Sequence, residues 1–429
     1  MSYNSDNISF LDKTFFTPSR WEDAINIAVS KGIDKKLLRD LCSPDKRIEL
    51  WHKLKNDNYV IELPHEAQIP KDNGDFRTVY VNEPLDRVTL SIVNQMIFDL
   101  CPELIHPNCK SYQKGIGCGK TVIKSVEQTT REITKMQSNT VGIKADLSKY
   151  FDSVIIEEID KIFDYIDNKY GVSHIMQATR RYYHTNQVID INKNIIEKYS
   201  SLRQGCAFAA FLADAVLYDI DDTISRLNVF YVRYSDDILI IGKDWEKGLE
   251  ILRTMLAQKG LSLNPKKVET LYKDKWFKFL GFTIKGTQIS ISQARVKKFQ
   301  KDIEDLTIRN SSHDTNKIVH DVQQYLYCGN GEYSWATSVL PIINVEADIT
   351  QLNNFVMDAI RATITGRHKL GGLGVVTNLP DGTILRGKGN NVKSNRQKIP
   401  HIRNYYTINC MRKNLLTSRE VFTTITRQM

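Results

Sequence analysis

The stretch Val229-Phe230-Tyr231-Val232-Arg233-Tyr234-Ser235-Asp236-Asp237-Ile238-Leu239-Ile240-Ile241 sets two adjacent acids between two apolar runs. Each run is short and rich in β-branched or aromatic residues, so the pair reads as a β-hairpin with the acids at its bend. Carboxylates side by side next to buried strands are costly, because like charges repel and each resists leaving water. A divalent cation removes that cost. Mg²⁺ takes hard oxygen ligands, usually one or two carboxylates together with substrate phosphates and water. An Asp-Asp turn without chemistry fits the same local pattern, so this segment alone leaves both readings open.

A second apolar run, Val141-Gly142-Ile143-Lys144-Ala145, ends in Asp146 and continues as Leu147-Ser148-Lys149-Tyr150-Phe151. Asp146 falls where a strand gives way to a turn, a position from which its side chain can meet the hairpin acids. Three carboxylates around two metal ions are the apparatus of in-line phosphoryl or nucleotidyl transfer. Asp152 follows closely, but strand alternation does not aim it at the same point, and it is read as structural. Around these segments, residues 141 to 291 alternate short apolar strands with helices, which predicts a mixed core of sheet and helix. Apolar spacing predicts helices over residues 20 to 56 and again over 83 to 100, and a mainly helical region over 292 to 365. Lys71-Asp72-Asn73-Gly74-Asp75 reads as a turn between extended segments, and Gly371-Gly372-Leu373-Gly374 as the opening of a separate C-terminal segment.

The chain has 429 residues, 41% hydrophobic and 25% charged, an ordinary globular composition with room for two or three domains. It lacks an apolar run long enough to span a membrane, and its N-terminus does not read as a signal peptide, so a cytoplasmic protein without a membrane partner is expected. Seven scattered cysteines fit reduced thiols better than a disulfide framework. The net charge of +9 is unevenly placed. Residues 367 to 429 hold 12 Lys or Arg against Asp381 and Glu420, a net +10, which leaves the rest at −1. Those cations, Arg386, Lys388, Lys393, Arg396 and Lys398 among them, are interleaved with Asn390, Asn391 and Asn395 and followed by Tyr405 and Tyr406, a mixture suited to a phosphate backbone. A solvated basic surface is the plain alternative.

Tyr234-Ser235-Asp236-Asp237 resembles the Tyr-x-Asp-Asp box of reverse transcriptases, and the resemblance continues in the family's order from Arg77 to Ile284. Lys144-Ala145-Asp146 through Phe151-Asp152 resembles the motif of the first catalytic aspartate. It implies that Asp146, Asp236 and Asp237, with the Leu147 carbonyl, hold two Mg²⁺ ions, with Mn²⁺ as a substitute, and that Phe151 is a steric gate against the ribose 2′-OH. Ser201-Leu202-Arg203-Gln204-Gly205 stands where the family has a Pro-Gln-Gly segment under the incoming nucleotide, with Arg203 in place of the usual Pro. Leu263-Asn264-Pro265-Lys266-Lys267 resembles the motif whose lysine assists the leaving pyrophosphate. Phe279-Leu280-Gly281-Phe282 is similar to the primer-grip hairpin. Phe76-Arg77-Thr78-Val79 resembles the fingers, where Arg77, helped by Lys71, would meet the triphosphate.

The fold implied is a right-hand polymerase of α+β class. Its regions are N-terminal helices (1–70), fingers (71–140), a palm of antiparallel sheet backed by helices (141–291), a helical thumb (292–366) and the basic segment (367–429). The activity implied is RNA-directed synthesis of a DNA product from dNTPs. No RNase H, integrase or HNH segment is legible, and Val376-Thr377-Asn378 only approximates the Val-Thr-Gly signature of retron enzymes. The chain thus resembles the stand-alone defence-associated bacterial enzymes, whose expected partner is a dedicated noncoding RNA. A retron or mobile-element enzyme, a template-independent or protein-primed polymerase and a non-enzymatic RNA scaffold stay open. Oligomeric state is not legible. Lys114-Gly115-Ile116-Gly117-Cys118-Gly119-Lys120-Thr121 mimics a phosphate-binding loop but is one residue short of its spacing. In the resembled family this stretch is a fingers loop whose Lys114 and Lys120 face template or primer. Cys101, His106, Cys109 and Cys118 lack the paired spacing of a zinc site.

Overall fold

A computed structural model describes residues 8–70, 75–112, 118–310, 315–329 and 333–365. The chain opens with four helices, α1 (Phe10–Phe15), α2 (Pro18–Ser30), α3 (Lys35–Leu41) and α4 (Pro44–Lys55). Proline stands at the first turn of α2 and α4, where its missing N–H is no loss. Asp12 of α1 is fully buried, and its carboxylate accepts from the backbone N–H groups of His174 (3.1 Å) and Ile175 (3.0 Å), capping a helix that starts 162 residues away. Next come β1 (His65–Pro70), β2 (Phe76–Val81), the buried helix α5 (Pro84–Leu100) and α6 (Cys118–Lys135). β1 and β2 pair antiparallel from His65↔Val81 to Pro70↔Phe76, so strand begins inside the stretch read as N-terminal helices.

The central run contains β3 (Thr140–Asp146), α7 (Tyr150–Ser153), α8 (Ile156–Tyr170), α9 (His174–His184), β4 (Gln187–Ile189) and β5 (Ile195–Glu197). It continues through α10 (Ala209–Ala215), α11 (Tyr218–Ser225), β6 (Val229–Tyr234), β7 (Asp237–Gly242) and α12 (Trp245–Gln258) to β8 (Glu269–Tyr272). One sheet has the order β2-β1-β4-β5 and another β6-β7-β3-β8. A Cβ at Gly142 would lie 2.1 Å from the Ile240 carbonyl oxygen, so only glycine lets β3 lie against β7 there. One buried apolar cluster, from Leu11 through α5, α8 and α10 to Leu261, fills the interior of this part.

The remaining elements are β9 (Phe277–Phe279), β10 (Phe282–Lys285), β11 (Gln288–Ile291), α13 (Gln293–Leu306), α14 (Thr315–Gln323), α15 (Trp335–Ser338) and α16 (Glu346–Thr365). Two compact units result, and both are discontinuous in sequence: residues 1–114 with 142–270, and residues 115–141 with 271 onward. α6 packs with α15 and β10. Its buried stripe, Thr121, Ser125 and Thr129, repeats every four residues. Two of its hydroxyls bond backward, Ser125 to the Thr121 carbonyl (2.9 Å) and Thr129 to the Ser125 carbonyl (2.7 Å), so the stripe tolerates burial. Gly119 comes so close to Ser338 that a Cβ would lie 2.3 Å from its Oγ. The glycine of the phosphate-loop look-alike thus serves helix packing.

Candidate active site

The hairpin read from Val229 to Ile241 forms as a two-residue turn: Tyr234 pairs with Asp237, leaving Ser235 and Asp236 at the bend. Ser235 takes a left-handed conformation, φ +56°. β3 lies antiparallel on the other side of β7 in a register that sets Asp146 directly opposite Asp237. Facing residues on adjacent strands have their Cβ atoms about 5 Å apart, so residues ninety positions distant in sequence share one patch of sheet. Two backbone bonds fix the end of β3. Leu147 N–H donates to the Asp236 carbonyl (3.2 Å), and Asn264 N–H donates to the Asp146 carbonyl (2.8 Å).

Burial raises the pKa of Asp236, with Asp146 and Asp237 adding like charge and Lys267 opposing. Burial likewise raises that of Asp237, which Lys144 lowers and Asp146 raises. These acids therefore feel one another, and protein cations answer them. Lys267 Nζ lies 2.7 Å from Asp146 Oδ2, and Lys144 Nζ lies 3.7 Å from Asp237 Oδ1. Among the described residues no three His, Cys, Asp or Glu side chains converge into a ready-made metal cage, the aspartates included. The donor set is nonetheless what Mg²⁺ requires, oxygen only, and the two ammonium groups stand where cationic charge is needed.

Around the acids the first unit gathers further nominated residues. Lys149, in a left-handed conformation (φ +45°), precedes α7 and turns the chain into Phe151, which is partly exposed. The Phe151 carbonyl accepts from Leu202 N–H (2.9 Å), and Asp152 accepts from Ser200 Oγ (2.7 Å). Asp152 is thereby a loop tie. The Gln204 carbonyl accepts from Tyr80 N–H (2.7 Å), joining the Arg203-Gln204-Gly205 loop to β2, where Arg77 is exposed. Arg203 is 2% exposed, left-handed (φ +53°) and stacked 4.1 Å above the Tyr182 ring. Proline, locked near −65°, cannot take that conformation, so here the departure from the Pro-Gln-Gly pattern has a backbone cause.

Gly281 (φ +81°) and Leu280 (φ +48°) form the tight turn between β9 and β10, and Lys120 is exposed on α6, both in the second unit. Lys71, Lys114, Arg386, Lys388, Lys393, Arg396 and Lys398 lie outside the described residues. Cys101 and Cys109 are buried thiols outside any disulfide, and Tyr182 and Tyr183 are buried in packing. Sequence reasoning passed over Lys144, although it sits two residues before Asp146 on the same strand face. It also passed over Arg233, a charge inside an apolar strand that had to find a buried partner.

A profile of the family described as reverse transcriptase (RNA-dependent DNA polymerase) matches residues 69–284, half of the chain. The chain belongs to the reverse transcriptase family. Its fold is that family's right-hand polymerase, with the antiparallel sheet carrying the three aspartates. It is similar to the retron Ec48 reverse transcriptase of Escherichia coli, 21% identical over 287 residues, which cover 63% of this chain and 65% of the relative. The chain thus spans just under two thirds of that relative's length. Among solved structures, the apo telomerase of Candida tropicalis truncated from its C-terminal domain matches with TM-score 0.38 at 13% identity, covering 57% of this chain and 60% of that one. The telomerase of Candida albicans in complex with a TWJ fragment of telomeric RNA matches with TM-score 0.38 at 12% identity, covering 61% and 52%. Among the described residues no helix is long and apolar enough to cross a membrane.

Proposed function

We propose that the chain is an RNA-directed DNA polymerase whose centre is Asp146, Asp236 and Asp237. The observation that carries this is the β3–β7 register, which sets Asp146 opposite Asp237 with Asp236 at the adjoining bend. Those carboxylates, with the Leu147 carbonyl, would hold two Mg²⁺ ions, which when bound supply charge to the attacking 3′-oxygen and to the leaving group. The primer 3′-oxygen forms a bond to the dNTP α-phosphorus as the bond to the bridging oxygen breaks. The 3′-OH proton is lost to solvent and pyrophosphate departs. Lys267, now on Asp146, is within reach of the centre to balance the pyrophosphate charge, and Arg77 and Lys71 are assigned to the triphosphate. Phe151 and Gln204 are assigned to the sugar and base of the incoming nucleotide. Gly281, Lys114 and Lys120 are assigned to the template and primer, and the tail cations to a structured RNA. The region boundaries at 70, 140, 291 and 366 belong to the same proposal.

The biological role we propose is cytoplasmic anti-phage defence, with a dedicated noncoding RNA as template or scaffold held by the +10 segment from residue 367. A retron enzyme is the second reading, favoured by the similarity to the Ec48 retron protein. The test is to purify the full chain with its bound nucleic acid, add dNTPs and Mg²⁺, and sequence the product. DNA complementary to a co-purifying RNA is expected, and none from Asp236→Asn with Asp237→Asn. Homopolymer made without RNA would reject templated synthesis. A product joined to its own RNA through a branched linkage would favour the retron reading.

A further inference from the structure

We infer that Ser111 and Arg233 are positioning residues that clamp the backbone of Ser235 from both sides and so aim Asp236 and Asp237. Ser235 N–H donates to Ser111 Oγ at 3.0 Å, and Arg233 Nη1 donates to the Ser235 carbonyl at 3.3 Å. The clamped residue is the left-handed one, φ +56°, a conformation that L-residues avoid unless their surroundings impose it. Because Ser235 immediately precedes the two acids, a change in its backbone angles swings both carboxylates away from Asp146 on β3.

Neither clamp is free to drift. Ser111 Oγ donates to Asp214 Oδ1 (2.5 Å) on α10. The Arg233 guanidinium grips Asp221 of α11 through Nη2 (2.6 Å) and Nε (2.8 Å), and Nη2 also donates to the Asp214 carbonyl (2.9 Å). The strand bearing Arg233 is tied back to the segment bearing Ser111: Arg233 N–H donates to the Asn108 carbonyl (3.0 Å), and Lys110 N–H to the Arg233 carbonyl (2.7 Å). Ser111, Asp214, Asp221 and Arg233 are all fully buried. A buried ion pair is weak evidence for stability, since apolar residues of the same volume often serve the fold as well or better. A buried polar network does rigidify what it touches, and this one ends on both backbone polar groups of Ser235.

The inference rests on the polymerase reading, and the experiment separates the two. Full-length wild type, Ser111→Ala, Arg233→Lys, Ser111→Ala with Ser235→Gly, and Asp236→Asn are compared on poly(rA)·oligo(dT) with dTTP and Mg²⁺. Mn²⁺ binding to each protein alone is read by electron paramagnetic resonance. Ser111→Ala and Arg233→Lys are expected to stay folded by thermal melting. Each should lose tenfold or more in kcat with KM for dTTP and primer–template within twofold, and weaken Mn²⁺ binding at least threefold. Ser235→Gly, which adopts the left-handed conformation unaided, should return part of the kcat lost in Ser111→Ala. Wild-type kcat and Mn²⁺ binding in both clamp variants would overturn the inference, as would a loss that falls equally on KM, or unfolding of both variants. A wild type that makes no DNA would reject the polymerase reading instead, and the Mn²⁺ comparison would still decide the clamp.

Discussion

Left-handed backbone among the described non-glycine residues includes Lys149, Arg203, Ser235 and Leu280, and each lies within two residues of a residue the motifs nominate: Phe151, Gln204, Asp236 and Gly281. Such conformations persist where their surroundings over-determine them, and they gather where a side chain must be aimed off the regular lattice of a strand or helix. Arg203 gives the sharpest test. Arg203→Pro, which restores the family's residue, should cost about 3 kcal/mol or more in urea unfolding, because the ring forbids φ +53° and the stack on Tyr182 disappears. Arg203→Gly keeps the angle and should lose less. At Phe151, removal of the ring opens space at the proposed sugar position. Phe151→Ala should raise rNTP relative to dNTP incorporation by roughly tenfold or more in single-nucleotide extension, since a steric gate works by rejection rather than attraction.

At the level of strands and helices, the hairpin β6–β7 depends on what α10 and α11 press beneath it. Asp214 of α10 is fully buried, and burial pushes its pKa up to about 6 against the pull of Arg233. A carboxyl raised in the folded state keeps its proton there after the unfolded chain has lost its own. Stability therefore falls as pH rises from about 4 to about 6, by about 1.4 kcal/mol per unit at most, and levels off above. Asp214→Asn cannot titrate, so the stability of wild type minus that of Asp214→Asn should decline across that window in pH-dependent chemical unfolding. A flat difference would mean that Asp214 is ionised throughout. The hairpin itself was legible because two apolar runs flanked one pair of acids, and β3 because Asp146 ended a third run. The β3–β7 register was not legible, since it is set by backbone pairing across ninety residues. Nor was the placement of α6, whose partners α15 and β10 lie far along the chain.

For the molecule as a whole, charge is divided by sequence. Residues 1–366 sum to −1 and the remainder to +10. If the C-terminal cations hold RNA, a chain ending at residue 366 should bind a structured RNA far more weakly at low salt. Its log Kd against log salt slope should also fall by about 0.7 to 0.9 for each phosphate no longer neutralised, as read by filter binding across a salt series. Equal affinity and slope would place RNA recognition elsewhere. The same truncation should leave short-primer extension on poly(rA)·oligo(dT) nearly intact, because the aspartates and their lysines lie in residues 142–270.

The discontinuity of the second unit reaches into biosynthesis. α6 leaves the ribosome about two hundred residues before α15, and at 5 to 20 residues per second the interval is roughly ten to forty seconds. Throughout that time α6 has no α15 to pack against, and for most of it no β10 either. The nascent chain is thus exposed to mispairing until nearly four fifths of it has been translated, and a gene split between residues 141 and 271 would yield two fragments, neither holding a whole unit.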